Sequence, residues 1–159
     1  MKLQGIGCIR MGPTINVLAW NARGLNCLMK QRDVTRFLRT FSCDVAILQE
    51  SKLEIVSRPI AISLWGCCLL EWLYLLSVGC SRGIIAIWDH QVLELANSRI
   101  GSFSDCCMFK SLEDDFECGQ IGVYVPNDGY LWVALFEELL FFYVFLGHSM
   151  VFGWGFQCH

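Results

Sequence analysis

Leu18-Ala19-Trp20-Asn21-Ala22-Arg23-Gly24-Leu25 is an apolar run that breaks off in polar residues, and the same design recurs twice further along the chain. Ile47-Leu48-Gln49-Glu50 ends on a carboxylate, and Gly122-Val123-Tyr124-Val125-Pro126-Asn127 carries a phenol and closes on an amide. A strand covered on both faces is a near-continuous apolar sequence, so its polar side chains gather where it leaves the sheet. Three such runs predict an α/β sandwich whose strands deliver polar groups to one rim.

Ile15 to Ala19 reads as the first strand, and Trp20-Asn21 turns the chain into a loop over Ala22 to Cys27. Val34, Phe37, Leu38 and Phe41 follow at helical spacing, with Lys30, Arg32, Arg36 and Arg39 on the opposite side. Asp44 to Gln49 is a second, parallel-type strand with Glu50 at its end. From Ser63 the pattern predicts strands over 67–76, 84–88, 92–96, 106–112 and 117–125, a meander in an antiparallel sheet, with Asn97 to Gly101 as one of the breaks. A helix starts at Leu131 and carries Glu137 and Glu138.

A chain of 159 residues that is 55% hydrophobic has the material for one domain, and it folds or aggregates rather than staying disordered. Its net charge of −3 gives no global attraction to nucleic acid, so any such contact needs a local basic patch. Arg23, Lys30, Arg32, Arg36 and Arg39 form the one candidate. Ten cysteines without a C-x-x-C spacing, beside three histidines, are a poor zinc set. They read instead as small buried hydrophobes in a reducing, nuclear or cytoplasmic setting. Met1 to Pro13 lacks the apolar core of a secretory leader. Two apolar stretches, 61–80 and 131–156, are interrupted by Glu71 and by Glu137, Glu138 and His148, which argues against membrane spans.

The segments WNARGLN, ILQE and GVYVPN, in this order, resemble the front half of the endonuclease/exonuclease/phosphatase superfamily. With Ser63-Leu-Trp-Gly and Ser81-Arg-Gly-Ile-Ile-Ala-Ile-Trp-Asp added, the chain looks most like the endonuclease domain of plant LINE-type retrotransposons, over roughly Ile15 to Leu139. The resemblance implies a four-layer α/β sandwich that cleaves DNA phosphodiesters with Mg²⁺. It makes Asn21, Glu50, Tyr124 and Asn127 the catalytic set and Glu50 the metal ligand, with no small-molecule cofactor. Arg23, Lys30 and Arg32 are the candidate DNA contacts.

The family pattern also has a later Gly-Asp-x-Asn segment and a terminal Asp-His pair, and this sequence contains neither. Phe145 to His159 reads FLGHSMVFGWGFQCH instead. One permitted set of synonymous codons for those residues, read one nucleotide later, spells FWDIPWSLGGDFNV, which contains the expected motif. The sequence is therefore divided into an N-terminal extension (1–13), a partial domain (14–139) and an apolar, out-of-frame tail (140–159). The expected fold is an incomplete four-layer α/β sandwich lacking its C-terminal part. The expected function is that of a truncated, inactive endonuclease-like domain of a degenerate retroelement, since a catalytic unit that loses members loses nearly all its benefit. The alternatives are a weak DNA-binding remnant and a membrane-associated apolar fragment. Unpaired strand edges predict self-association or aggregation.

Overall fold

The computed structural model describes residues 6–11, 15–75, 83–123 and 125–147. Its first sheet has the order β1-β2-β3-β5-β4, formed by Ile6–Met11, Ile15–Asn21, Val45–Gln49, Ile84–Trp88 and Glu71–Leu75 respectively. The second sheet is the hairpin series β6-β7-β8, Leu93–Ile100, Ser104–Ser111 and Glu117–Val123. Three helices flank them: α1 (Leu28–Thr40), α2 (Arg58–Trp65) and α3 (Leu131–Leu146).

Strand alternation sorts the apolar residues into three packed layers. Leu18, Trp20, Ala46, Leu48, Ile85 and Ile87 point outward from the first sheet and take Val34 and Leu38 of α1 and Ala61 and Leu64 of α2. The opposite row, including Val17, Ile47 and Trp88, meets Leu93, Cys107, Phe109 and Cys118 of the second sheet. The rings of Trp88 and Phe109 meet edge to face at 5.1 Å. On the far side of the second sheet, Cys106, Ile121 and Val123 receive Leu135, Leu139, Phe142 and Leu146 of α3. The order is helices, sheet, sheet, helix: the four-layer sandwich that the apolar runs and the resemblance imply.

Several local readings need correction. Arg58–Trp65 is a helix, entered through Pro59 in its first turn and ended by Gly66 in the left-handed conformation (φ 92°). The strand expected from Cys67 begins only at Glu71. The expected meander is split, because β4 and β5 complete the first sheet and only β6 to β8 form the second. β6 continues through the expected break at Asn97 to Ile100, absorbing the polar residues with a register shift between Leu95 and Asn97. Ile6–Met11, read as extension, forms a strand antiparallel to β2. Phe41 lies beyond the end of α1, exposed, with its ring stacked on Phe37.

The expectation of buried cysteines holds for β7 and β8 only. Cys106, Cys107 and Cys118 are buried, and burial pushes the thiols of Cys106 and Cys118 up to about 12 and about 11. Cys8, Cys27, Cys67 and Cys68 are exposed. Among the described residues no helix is long and apolar enough to cross a membrane.

Candidate functional site

β2 and β3 run parallel with Asn21 opposite Gln49, so both strands leave the sheet at the same rim. The pairing continues past the strand ends. Ala22, Gly24 and Leu25 donate their N–H groups to the carbonyls of Gln49, Glu50 and Ser51 at 2.9, 2.7 and 2.7 Å. The two loops are thereby held side by side. Asn21 Nδ2 donates to Glu50 Oε1 at 3.1 Å, and Asn21 Oδ1 accepts the Arg23 N–H at 3.2 Å. Both side chains sit at the edge of the core, with Asn21 9% and Glu50 7% exposed.

The backbone at this rim adopts costly conformations. Arg23, Glu50 and Lys52 have φ of 50°, 52° and 54°, the left-handed region, which costs an L-residue about 1–2 kcal/mol. Three of the five non-glycine residues with positive φ among the described residues therefore lie in these two loops. Such strain persists where the surrounding structure over-determines it, as the stitched loops do here, and it concentrates at functional sites. Gly83, at φ 140°, closes the floor: its carbonyl accepts the Ser51 N–H at 2.9 Å, and a Cβ there would come within 2.4 Å of Ser51 Oγ.

Gln49 belongs to the site although the sequence singled out only its neighbour. Val45 and Ile47 face the second sheet, and the two-residue period carries Gln49 the same way. Its Nε2 donates to the Val123 carbonyl at 3.0 Å in a buried bond that ties β3 to the end of β8. That alternation was the signal by which it could have been found.

The other expected members are placed unevenly. Tyr124, which follows Val123, lies outside the described residues. Asn127 is exposed in the loop between β8 and α3, and no hydrogen bond among the described residues joins it to Asn21 or Glu50. Lys30 Nζ donates to the Arg23 carbonyl at 2.8 Å, which brings both to the rim. Lys52, absent from the expected set, joins them: its side chain and Lys30 Nζ lie within 4.0 Å of where a Cβ of Gly24 would be. Arg32 does not gather with them. It lines a groove between α1 and α2 together with Arg36 and Arg39.

Mg²⁺ binds through one or two carboxylates and keeps several waters. Glu50 supplies one carboxylate, with no hydrogen bond to Oε2 among the described residues. Among the described residues no group of three or more His, Cys, Asp or Glu converges as a metal cage. The donor set thus fits a cation held by a single protein carboxylate and nothing more elaborate.

No protein-family model matches this sequence, and no curated protein matches it either. Solved structures do. The endonuclease domain of TRAS1, a telomere-specific non-LTR retrotransposon, superposes with a TM-score of 0.63 at 14% identity, covering 88% of this chain and 57% of its own. The human Nocturnin catalytic domain with bound sulfate gives 0.62 at 11% identity, covering 92% of this chain and 65% of its own. An endonuclease/exonuclease/phosphatase family protein from Bacteroides thetaiotaomicron gives 0.58 at 11% identity, over 87% and 62%. The chain thus spans less than two thirds of each of these three structures. At these identities the likeness speaks of architecture, and the architecture of this chain is the endonuclease/exonuclease/phosphatase fold.

Proposed function

We propose that the Asn21–Glu50 rim is one half of a Mg²⁺-dependent phosphodiesterase site, descended from a retroelement endonuclease that cleaved DNA, and that this chain does not cleave by itself. The buried bond between Asn21 and Glu50 carries the reading. An amide that fixes one carboxylate oxygen leaves the other to a hard cation, and a metal at such a site neutralises charge developing on a scissile phosphate. In this reading Glu50 is the metal ligand and Asn21 orients it. Tyr124 and Asn127 meet the phosphate, and Arg23 and Lys30 meet the flanking backbone. The likeness to a retrotransposon endonuclease domain supports DNA as the ancestral substrate.

Cleavage also needs a group that positions the attacking water. The Gly-Asp-x-Asn and Asp-His segments that the family resemblance assigns to this work are absent from the sequence. The proposed origin is a frameshift between Leu139 and Phe145 that turned the coding sequence for Gly-Gly-Asp-Phe-Asn into the apolar tail.

The purified 159-residue chain should leave supercoiled plasmid intact in Mg²⁺. Nicking that survives stringent purification and disappears in Glu50→Ala would overturn the inactive reading. A single-base correction between Leu139 and Phe145 should restore the motif and, with the rest of the locus intact, Glu50-dependent nicking. Codons that spell no such motif in either alternative frame would remove the frameshift.

A further inference from the structure

The basic residues of α1 divide into two groups, and the second has no part in the rim. Arg32, Arg36 and Arg39 recur at i, i+4 and i+7, so they share one stripe of the helix. At 1.5 Å per residue they span about 10 Å along the axis. The stripe forms one wall of a groove of about 610 Å³ against α2, whose other wall includes Ile62, Ser63 and Gly66.

This groove differs from a solvated helix face in three respects. It is concave and framed by hydrogen bonds between the two helices. Thr35 Oγ1 lies 2.7 Å from the Ser63 carbonyl and 3.0 Å from that of Leu64, and Arg39 Nη2 donates to the Gly66 carbonyl at 3.0 Å. Its lining contains three guanidinium groups and no carboxylate. Asp33, the one acid of α1, makes no ion pair with any of them; Lys110–Asp115 is the ion pair formed among the described residues. Arg39 spends part of its donor capacity on Gly66, whereas Arg32 and Arg36 make no side-chain hydrogen bond among the described residues. Like charges four residues apart on a helix repel. A chain of net charge −3 has here concentrated positive charge along one open groove.

We propose that the α1/α2 groove is a docking site for a nucleic-acid phosphate backbone, separate from the Asn21–Glu50 rim. Guanidinium groups match phosphate oxygens with paired donors, and three of them line this groove. Two phosphates along the groove would each meet an arginine that has no other partner among the described residues. The site recognises backbone and not sequence, and its affinity depends on salt.

The test is fluorescence anisotropy of a labelled 20-base-pair DNA duplex with the full chain in EDTA, over a range of salt concentrations. This condition separates the groove from any metal-dependent work at the rim. Arg32→Ala/Arg36→Ala should weaken binding at least tenfold at low salt and reduce the slope of log K against log salt by about 2, near 0.9 for each phosphate that is no longer neutralised. Arg32→Lys/Arg36→Lys should restore most of the slope. Arg23→Ala/Lys30→Ala, at the rim, should leave a groove-dependent component that the groove variant abolishes. Unchanged affinity and slope in a groove variant whose circular dichroism and melting match the parent would overturn the proposal. So would binding to anionic lipid vesicles that the groove variant loses while DNA binding is unaffected.

Discussion

The helix layer on the first sheet and the helix layer on the second are finished to different degrees. α1 buries Gln31, Val34 and Leu38 and turns Lys30, Arg32, Arg36 and Arg39 outward, and its exposed apolar residues are confined to Leu28 and Met29 in the first turn. α3 buries Leu135, Leu139, Phe142 and Leu146, yet its outer face presents Val133, Phe136, Leu140, Phe141 and Val144. Its acids do little to offset this. Glu138 is turned onto the loop before β7, accepting the N–H groups of Ser102 and Phe103 at 2.7 and 3.1 Å. The first sheet has five strands under two helices, and the second three under one. The rim therefore belongs to the half whose helices are mostly polar outside, while the other half supplies a partner wall whose outer helix is apolar along its length.

The largest effect should come from the inner face of α3. Phe142→Ala, which empties a buried site against Cys106 and Ile121, should cost about 3–5 kcal/mol in urea unfolding. On the outer face, Phe136→Lys/Leu140→Lys/Val144→Lys should raise soluble yield with little change in melting temperature. A Phe142→Ala cost below about 1 kcal/mol would mean that α3 is not docked on the second sheet.

Next is a flaw between the sheets. Asp105, on β7, is fully buried; Oδ1 accepts the Gly122 N–H at 3.1 Å, while among the described residues Oδ2 has no hydrogen-bond partner, nor do the side-chain N and O of Gln120. Burial raises the Asp105 carboxyl from 3.8 to about 7. The folded chain therefore holds a proton on Asp105 that the unfolded chain releases, so the contribution of this group to stability is greatest below about pH 4, falls as pH rises to about 7, and is level above that. The difference is worth on the order of 4 kcal/mol. Asp44, raised by its own burial, acts in the same direction. Asp105→Asn keeps an acceptor for Gly122 and should flatten most of this slope while stabilising the chain at pH 8. Melting temperatures of both proteins across that range decide it, and parallel curves would remove Asp105 as the cause.

What the sequence made legible follows the same division. β2 and β3 are covered on both faces, so their apolar runs and the polar residues ending them stand out, and Asn21 and Glu50 could be named. α2 was hidden because Ile60-Ala61-Ile62 in an eight-residue element has no room to show a helical period. β6 was cut short because most of its outer half is exposed and polar, so Asn97 and Ser98 read as a turn where a register shift admits them. Asp105 gave no sign, since a carboxylate ahead of two cysteines resembles a strand entry and lies instead within β7. The split of the basic cluster depends on where α2 lies, which could not be known before α2 itself.

On the first sheet, Gly66 joins α2 to the groove. Its φ of 92° suits glycine, and a Cβ there would meet Thr35 Cγ2 at 2.9 Å and Arg39 Nε at 3.0 Å. Gly66→Ala should cost about 1–2 kcal/mol, from the left-handed conformation, and should also weaken salt-dependent DNA binding by disturbing Arg39. A stability loss with intact binding would separate the helix cap from the groove.

The smallest effect tests whether the rim stores strain. Lys52 adopts φ 54° in the loop after Glu50, a region glycine enters freely and lysine does not. Lys52→Gly relieves about 1–2 kcal/mol of backbone cost and gives back about 0.5–1 through the greater freedom of the unfolded chain. The expected net gain is therefore between zero and about 1.5 kcal/mol. Lys30→Gly, in the right-handed backbone of α1, has no strain to relieve and should lose about 1 kcal/mol. Opposite signs at two lysines that both approach Gly24 would identify backbone conformation, not charge, as the cause. Equal losses would instead show that the lysine side chains over Gly24 hold the loop, and that the strain assigned to this rim is repaid by their packing.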